Sequence, residues 1–227
     1  MEQLYKTVNE SFIKMEGNKY PDIHRKISKL IKKLNLENLI KKTNAYICGG
    51  SILTLFYENR VISNIDIFFK NLEGLEKFKN TISIFDDCVF VEETDSIVHF
   101  KYKTKHLKLF KKVLGSAEEI LNSFDFTICQ VCFYPKENAF IMNKDFLSHV
   151  ENKEIVMNQN MPHPLTSINR ISKYISRGFK ISQDQSVILG LLISKMNLKN
   201  PETMLEWINS AGYIPDDMLE SEEMTYI

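Results

Sequence analysis

The sequence has no long hydrophobic run, no excess charge of either sign and no regular cysteine pattern. Its apolar stretches are interrupted by charged residues or Asn before they reach the ~18–20 residues of a membrane span, so we expect no membrane partner. Lys and Arg total 29 and Asp and Glu total 29, which excludes a global positive field for nucleic acid but leaves room for a local basic patch. The irregular cysteines and the lack of a signal segment favour a cytoplasmic setting.

The chain does have enough apolar material for a buried core. Hydrophobic residues make up 44% and aromatic residues 11% of its 227 positions, which is typical of a folded protein. The length fits one catalytic-sized unit with a helical extension. A change in composition near residues 152–164 leads us to expect an N-terminal helical segment (1–42), an α/β domain (43–152) and a helical C-terminal region (153–227).

The N-terminal segment contains a basic amphipathic pattern. Over residues 21–42, isoleucine and leucine recur at helical spacing between Arg25 and several lysines, which predicts one helix. Two interpretations stay open for its basic side: a solvated face on a packed helix, or a patch that contacts phosphates.

The pattern that indicates chemistry begins at Ala45. A short apolar run ends at Cys48 and is followed by Gly49-Gly50-Ser51 and by apolar residues at helical spacing, which predicts a strand, a glycine turn and a helix. The next apolar run, residues 65–69, predicts a second strand and contains Asp66. A carboxylate inside an apolar strand is a candidate functional group. We expect the two strands to pair and to bring Asp66 beside the start of the helix.

A glycine turn at the start of a helix suits phosphate binding. Glycine lets backbone N–H groups approach a triphosphate, the helix N-terminus adds partial positive charge, and the Ser51 hydroxyl can donate. Nucleotidyl transfer also needs divalent cations, which carboxylates hold, so Asp66 is the expected ligand of Mg²⁺ or Mn²⁺. Asn64, two positions earlier on the strand, faces the same side and is a weaker, neutral ligand.

Two later segments are candidates for the same cleft. Residues 124–134 are almost wholly apolar and predict a buried strand, which Asp125 opens. A helix predicted from Leu165 carries Arg170 and Lys173, which could bind phosphates or belong to a solvated basic face.

Other signals are local. Ser116 and Ser182 are predicted helix caps, each with Glu or Gln three residues on, and a last helix is predicted over residues 201–210. Cys129 and Cys132 have the spacing of a metal pair, but no second pair accompanies them, so we expect buried structural cysteines. The histidines lack companion ligands at metal spacing and are expected to pack or to lie on the surface.

These segments resemble the signature of the nucleotidyltransferase superfamily, the DNA polymerase beta-like proteins, in which Gly-Gly or Gly-Ser precedes an Asp-x-Asp strand. The matching motifs are Gly49-Gly50-Ser51 and Asn64-Ile65-Asp66. Asp125-Phe126-Thr127-Ile128 is similar to the Arg-Arg-Asp-Phe-Thr-Ile-Asn strand of the tRNA nucleotidyltransferase and bacterial poly(A) polymerase branch, and the segment from Pro164 to Phe179 is similar to its neck helix. The resemblance covers roughly residues 45–182. It implies an α/β (α+β) fold with a small mixed sheet, flanking helices and a neck-like helical region.

The chain departs from that branch at several positions. Asn64 replaces the first metal-binding Asp, Ser123 and Phe124 replace the paired Arg, and His163 and Thr166 replace the Asp and Arg of the neck motif. The C-terminal region is also shorter than the helical body that grips tRNA in that branch. A reduced or viral-type relative, working in the host cytoplasm, therefore fits better than a CCA-adding enzyme.

The resemblance implies transfer of a nucleoside monophosphate from a metal-bound nucleoside triphosphate to a hydroxyl acceptor, with RNA favoured over a protein or small molecule. Asp66 would hold the metal with Asn64, and the glycine turn would hold the phosphates. Asp125 would complete the metal site or contact the ribose. Two alternatives remain: an inactive nucleotidyltransferase fold that binds nucleotide, RNA or protein, which Asn64 favours, and a purely structural module.

Overall fold

The computed structural model of the protein describes residues 11–57, 62–161 and 164–196. The predicted helix over residues 201–210 and the position of His163 lie outside these ranges. Within them, no helix combines the length and apolar character that a membrane span needs.

One eight-stranded mixed sheet forms the centre of the molecule, in the spatial order β1-β8-β7-β2-β3-β6-β5-β4. Its strands are β1 Phe12–Glu16, β2 Ala45–Cys48, β3 Asn64–Phe69, β4 Cys88–Glu93, β5 Ile97–Tyr102, β6 Lys105–Leu114, β7 Val131–Tyr134 and β8 Ala139–Asn143. A separate parallel pair joins β9 Glu154–Ile155 and β10 Lys180–Ile181. The helices are α1 Pro21–Lys33, α2 Glu37–Lys42, α3 Gly50–Tyr57, α4 Leu72–Ile82, α5 Ala117–Asn122, α6 Phe146–Glu151, α7 Pro164–Ser176 and α8 Gln183–Ser194. An α+β fold with a mixed sheet, as predicted, is confirmed.

The sheet separates two apolar clusters. Side chains alternate between the faces of a strand, and along β3 Ile65 and Ile67 are fully buried against α1 to α4. On the other face Phe68 packs in a second cluster that includes residues of α5. This alternation places Asn64 and Asp66 on the face that α1 to α4 do not cover.

The predicted single helix over residues 21–42 is two helices. α1 ends at Lys33 and α2 begins at Glu37, and Asn35 between them has φ of 56°, in the left-handed region where an α-helix cannot continue. Within α1 the amphipathic prediction holds, because Ile27 and Ile31 are buried in the core.

The predicted strand over residues 124–134 is wrong in its first half. Residues Thr127–Cys129 form a 3₁₀ turn, and only β7 enters the sheet, between β2 and β8. Phe126 instead makes an isolated bridge to Met157. The whole stretch from residue 125 to residue 134 is buried, so its apolar character predicted burial correctly, but a short apolar run does not by itself specify a strand.

Several local signals are confirmed. Ser116 and Glu119 form a reciprocal capping box at the start of α5, and the Ser182 side chain accepts a hydrogen bond from the Gln185 backbone at the start of α8. The sequence patterns did not predict β1, β8, α6 or the β9–β10 pair. As a result, the observed sheet is larger than the small sheet that was expected, and residues 11–42 contribute a strand as well as helices.

Candidate functional site

The glycine turn connects β2 to α3. Gly49 has φ of 66°, and a Cβ atom there would lie 2.8 Å from Phe124 Cε2, so both the backbone and the available space require glycine. Gly50 begins α3, and a Cβ atom on it would lie 4.0 Å from the Tyr174 hydroxyl of α7. The N-terminus of α3 therefore faces the neck-like helix.

Ser51 joins this turn to β3. Its hydroxyl donates to the Asn64 carbonyl at 3.1 Å and accepts from the Asp66 backbone N–H at 3.1 Å. The prediction that the start of the helix lies beside Asp66 is therefore confirmed. The predicted pairing of β2 with β3 is also confirmed, and it is antiparallel. Because the hydroxyl proton is already engaged, Ser51 positions β3 in this structure, and its phosphate contact stays a prediction.

Asn64 and Asp66 share their face of the sheet with Lys108. β3 and β6 are parallel, and Asp66 lies opposite Lys108 in their register. Phe68, next along that face, stacks on Phe110 with ring centroids 4.2 Å apart and planes at 8°. That stacked pair confirms that alternate residues of the two strands point to the same side.

The electrostatic environment of Asp66 is positive. Asn64 is exposed and Asp66 is half-buried. Burial raises the pKa of Asp66 above its ordinary value, and nearby cations oppose that rise. The cations are Lys108, Arg170 and Lys173. The positive charges of Arg170 and Lys173, on α7, therefore favour the ionised form of Asp66 on the sheet.

Asp125 lies where the chain approaches α7. Its Oδ2 atom is 3.1 Å from Arg170 Nη1 and accepts a hydrogen bond from the Ser167 hydroxyl at 3.3 Å. Burial raises the pKa of Asp125, and Arg170 opposes the rise. The Oδ1 atom is buried and has no hydrogen-bond partner among the described residues. The ion pair with the helical region favours a positioning role for Asp125, and its catalytic assignment stays a prediction.

A polar network connects Arg170 to the glycine turn. Arg170 Nη2 donates to Cys129 Sγ at 3.5 Å, and that sulfur lies 3.0 Å from the Tyr174 hydroxyl, the group nearest Gly50. Burial raises the pKa of Cys129 to about 11, so the thiol stays neutral. Cys129 and Cys132 are buried, as predicted. The sequence analysis missed this network because its members meet only when α7 packs on the 3₁₀ turn.

Comparison with known proteins identifies the family. Residues 22–153, more than half of the chain, match the family described as Gabija anti-defense 2 family protein. The chain belongs to the Gabija anti-defense 2 family. A relative from Bacillus phage SPbetaL7, named Gabija anti-defense 2, is 27% identical over 194 residues, which cover 83% of this chain and 47% of the relative. The chain thus spans about half the length of that curated relative.

Solved structures of CCA-adding and tRNA-processing enzymes share the fold of this Gabija anti-defense 2 family member. The Thermotoga maritima CCA-adding enzyme in complex with tRNA has a TM-score of 0.57 and 16% identity, over 82% of this chain and 46% of its own. An apo CCA-adding enzyme has a TM-score of 0.55 and 19% identity, over 76% of this chain and 46% of its own. A tRNA-processing enzyme with CTP has a TM-score of 0.52 and 18% identity, over 70% of this chain and 46% of its own. At these identities the likeness shows a nucleotidyltransferase-like fold and no more.

The donor groups of this family member fit one divalent ion. A Mg²⁺ site is commonly built from one or two carboxylates, with phosphate oxygens and water completing the shell, and Asp66 with the Asn64 amide oxygen could supply the protein part. Across the described ranges no group of three His, Cys, Asp or Glu suited to a metal occurs, so these ranges offer no separate ligand set for a second ion, and Lys108 lies opposite Asp66 in the register.

Lys108 is the residue of this site that the sequence analysis missed. A signal was present, because Leu107 and Leu109 on either side are fully buried and the residue between them must point to the opposite face. Its position opposite Asp66 depends on the parallel pairing of β3 with β6, two strands separated in the chain by α4, β4 and β5.

Proposed function

We propose that this chain transfers a nucleoside monophosphate from a nucleoside triphosphate to a hydroxyl acceptor, with RNA as the favoured acceptor. The observation that carries the proposal is the Ser51 junction. One hydroxyl bonds to the backbone of both Asn64 and Asp66 and so fixes the N-terminus of α3 beside the only motif carboxylate. A helix N-terminus binds anionic phosphate, and a carboxylate beside it can hold the cation that accompanies a triphosphate.

Each side chain of the site has a proposed task. The backbone at the start of α3 binds the triphosphate, and Lys173 and Arg170 add positive charge from α7. A single Mg²⁺ or Mn²⁺ held by Asp66 and Asn64 would neutralise phosphate charge and lower the pKa of the attacking hydroxyl. Asp125 would hold Arg170 in position beside the triphosphate through their 3.1 Å ion pair.

The biological setting follows from the relatives. The phage relative is named for anti-defence against Gabija, so we propose that the nucleotide chemistry of this chain serves the same purpose in the cytoplasm of an infected bacterium. Two solved structures with the same fold are a tRNA-processing enzyme with CTP and a CCA-adding enzyme in complex with tRNA, which supports nucleotide and RNA as partners.

Transfer can be tested directly. The protein is incubated with each labelled nucleoside triphosphate, Mg²⁺ or Mn²⁺ and total RNA, and the products are sized. We expect labelled RNA with the wild type and none with Asp66→Ala, since that change removes the main metal ligand. If Asp66→Ala labels RNA as well as the wild type does, the site is assigned wrongly.

A second candidate function is an inactive nucleotidyltransferase fold that binds a nucleotide, RNA or a protein. Asn64 and the Lys108 ammonium opposite Asp66 favour it, because both reduce the negative charge that divalent ions require. This candidate predicts that a nucleotide binds while no acceptor is labelled under any of the conditions above.

A further inference from the structure

Lys108 presents a charge that the fold does not neutralise. It is half-buried on β6 between two core residues, Leu107 and Leu109, so its side chain lies on the Asp66 face. Among the described residues its ammonium forms no ion pair or hydrogen bond. Of the cations that lower the pKa of Asp66 against the effect of burial, Lys108 nevertheless has the largest effect.

Cations outnumber carboxylates around Asp66. Arg170 is paired with Asp125 at 3.1 Å, whereas the charges of Lys108 and Lys173 both act on Asp66. Two divalent ions would need more carboxylate than this face provides, because hard cations are held by oxygen ligands. A triphosphate carries several negative charges and matches a face with surplus positive charge.

We propose that the Lys108 ammonium takes the place of a second divalent cation at a bound nucleoside triphosphate. The triphosphate then binds with one divalent ion and keeps part of its affinity when no divalent ion is present. A lysine suits this task because its ammonium is a compact charge with three donors on a flexible stem. The inference rests on the nucleotide site proposed above but not on transfer, since an inactive binding module would use Lys108 in the same way.

The test measures nucleotide binding and metal stoichiometry separately. ATP, CTP, GTP and UTP are titrated into the wild type by calorimetry in EDTA, and Mn²⁺ is then counted at saturating nucleotide by electron paramagnetic resonance. The same titrations use Lys108→Gln, Lys108→Arg and Lys77→Gln. Lys77 is an exposed lysine of α4, which packs on the opposite side of the sheet, and it serves as the charge-matched control. Thermal unfolding of each variant verifies folding.

We expect the wild type to bind at least one triphosphate in EDTA and to hold one Mn²⁺ ion per chain. Lys108→Gln should weaken binding in EDTA by about tenfold, the scale of one lost charge-assisted contact, while Lys108→Arg and Lys77→Gln stay within about twofold. Two Mn²⁺ ions per chain, equal EDTA affinities for wild type and folded Lys108→Gln, or no binding in EDTA would each overturn the inference. Absence of RNA labelling together with Lys108-dependent binding would refute only the proposed transfer.

Discussion

The two faces of β3 differ in what they contribute. On one face Ile65, Ile67 and Phe69 are fully buried beneath the helices. On the other face Asn64 is exposed and Asp66 is half-buried, at a cost that appears as a raised pKa. The first face of the strand is therefore apolar throughout, whereas the second combines one packed residue, Phe68, with the polar Asn64 and Asp66. Substitutions on the two faces should separate stability from binding.

The largest effect on stability should come from the helix-covered face. Ile67→Ala should reduce the free energy of unfolding by about 2–5 kcal/mol, because it removes fully buried methyl groups and leaves a cavity. Asn64→Ala, on the exposed face of the same strand, should change it by less than about 0.5 kcal/mol. Urea unfolding of the two variants measures both values. Equal losses would show that the faces are not distinct in this way.

The glycine turn should tolerate a methyl group less well than a helix does. Gly49→Ala should lower the free energy of unfolding by about 1–3 kcal/mol, because it strains a residue with φ of 66° and brings Cβ within 2.8 Å of Phe124. Gly190→Ala in α8 meets nothing within 4 Å and should be neutral or stabilise by up to about 1 kcal/mol. Thermal unfolding compares them. A neutral Gly49→Ala would mean that the turn does not require glycine.

On the open face, restoring a second carboxylate should strengthen metal binding. Asn64→Asp should raise Mn²⁺ affinity in the presence of nucleotide by about tenfold, or about 1.4 kcal/mol, because two carboxylates would then face one ion. Asn80→Asp, an exposed position on α4, adds the same charge elsewhere and should leave the affinity unchanged. Calorimetric titration measures the Mn²⁺ affinity of both variants. An equal increase in the two would show that the added net charge, and not its position, strengthens metal binding.

The smallest effect should be a change in the pH dependence of stability. Burial raises the pKa of Asp66 in the folded protein above its ordinary value of 3.8, so the wild type is relatively more stable when this carboxyl is protonated and loses that stability as the pH rises through the raised pKa. Asp66→Asn cannot ionise and should gain stability over the wild type between pH 3 and pH 7. Urea unfolding at both pH values measures the difference in the free energy of unfolding between the variant and the wild type. A decrease in the relative stability of Asp66→Asn as the pH rises would contradict the prediction.

Sequence patterns predicted the part of the site that is local in the chain. The strand, the glycine turn and the helix around Gly49 follow from periodicity and from the backbone freedom of glycine. The same reasoning placed Asn64 and Asp66 on one face, because side chains alternate along a strand. Each of these inferences uses residues that are close together in sequence.

The remainder of the site depends on contacts between distant segments. Lys108 meets Asp66 through strand pairing, and Tyr174 meets Cys129 through the packing of α7 on a 3₁₀ turn that was predicted as a strand. Burial of that turn could be predicted from its apolar residues, but its hydrogen-bond geometry could not, since short apolar runs suit several structures. Registers and helix packing are set by the whole fold.

Nucleotide binding on the face of the sheet that carries Asn64, Asp66 and Lys108 can be tested directly by amide hydrogen exchange. Exchange is followed by mass spectrometry with and without the nucleoside triphosphates. Nucleotide should slow exchange at the start of α3 and along β3 and β6, and should leave exchange in α1 unchanged. Protection confined to the basic helix α1, with no change at α3, β3 or β6, would contradict it.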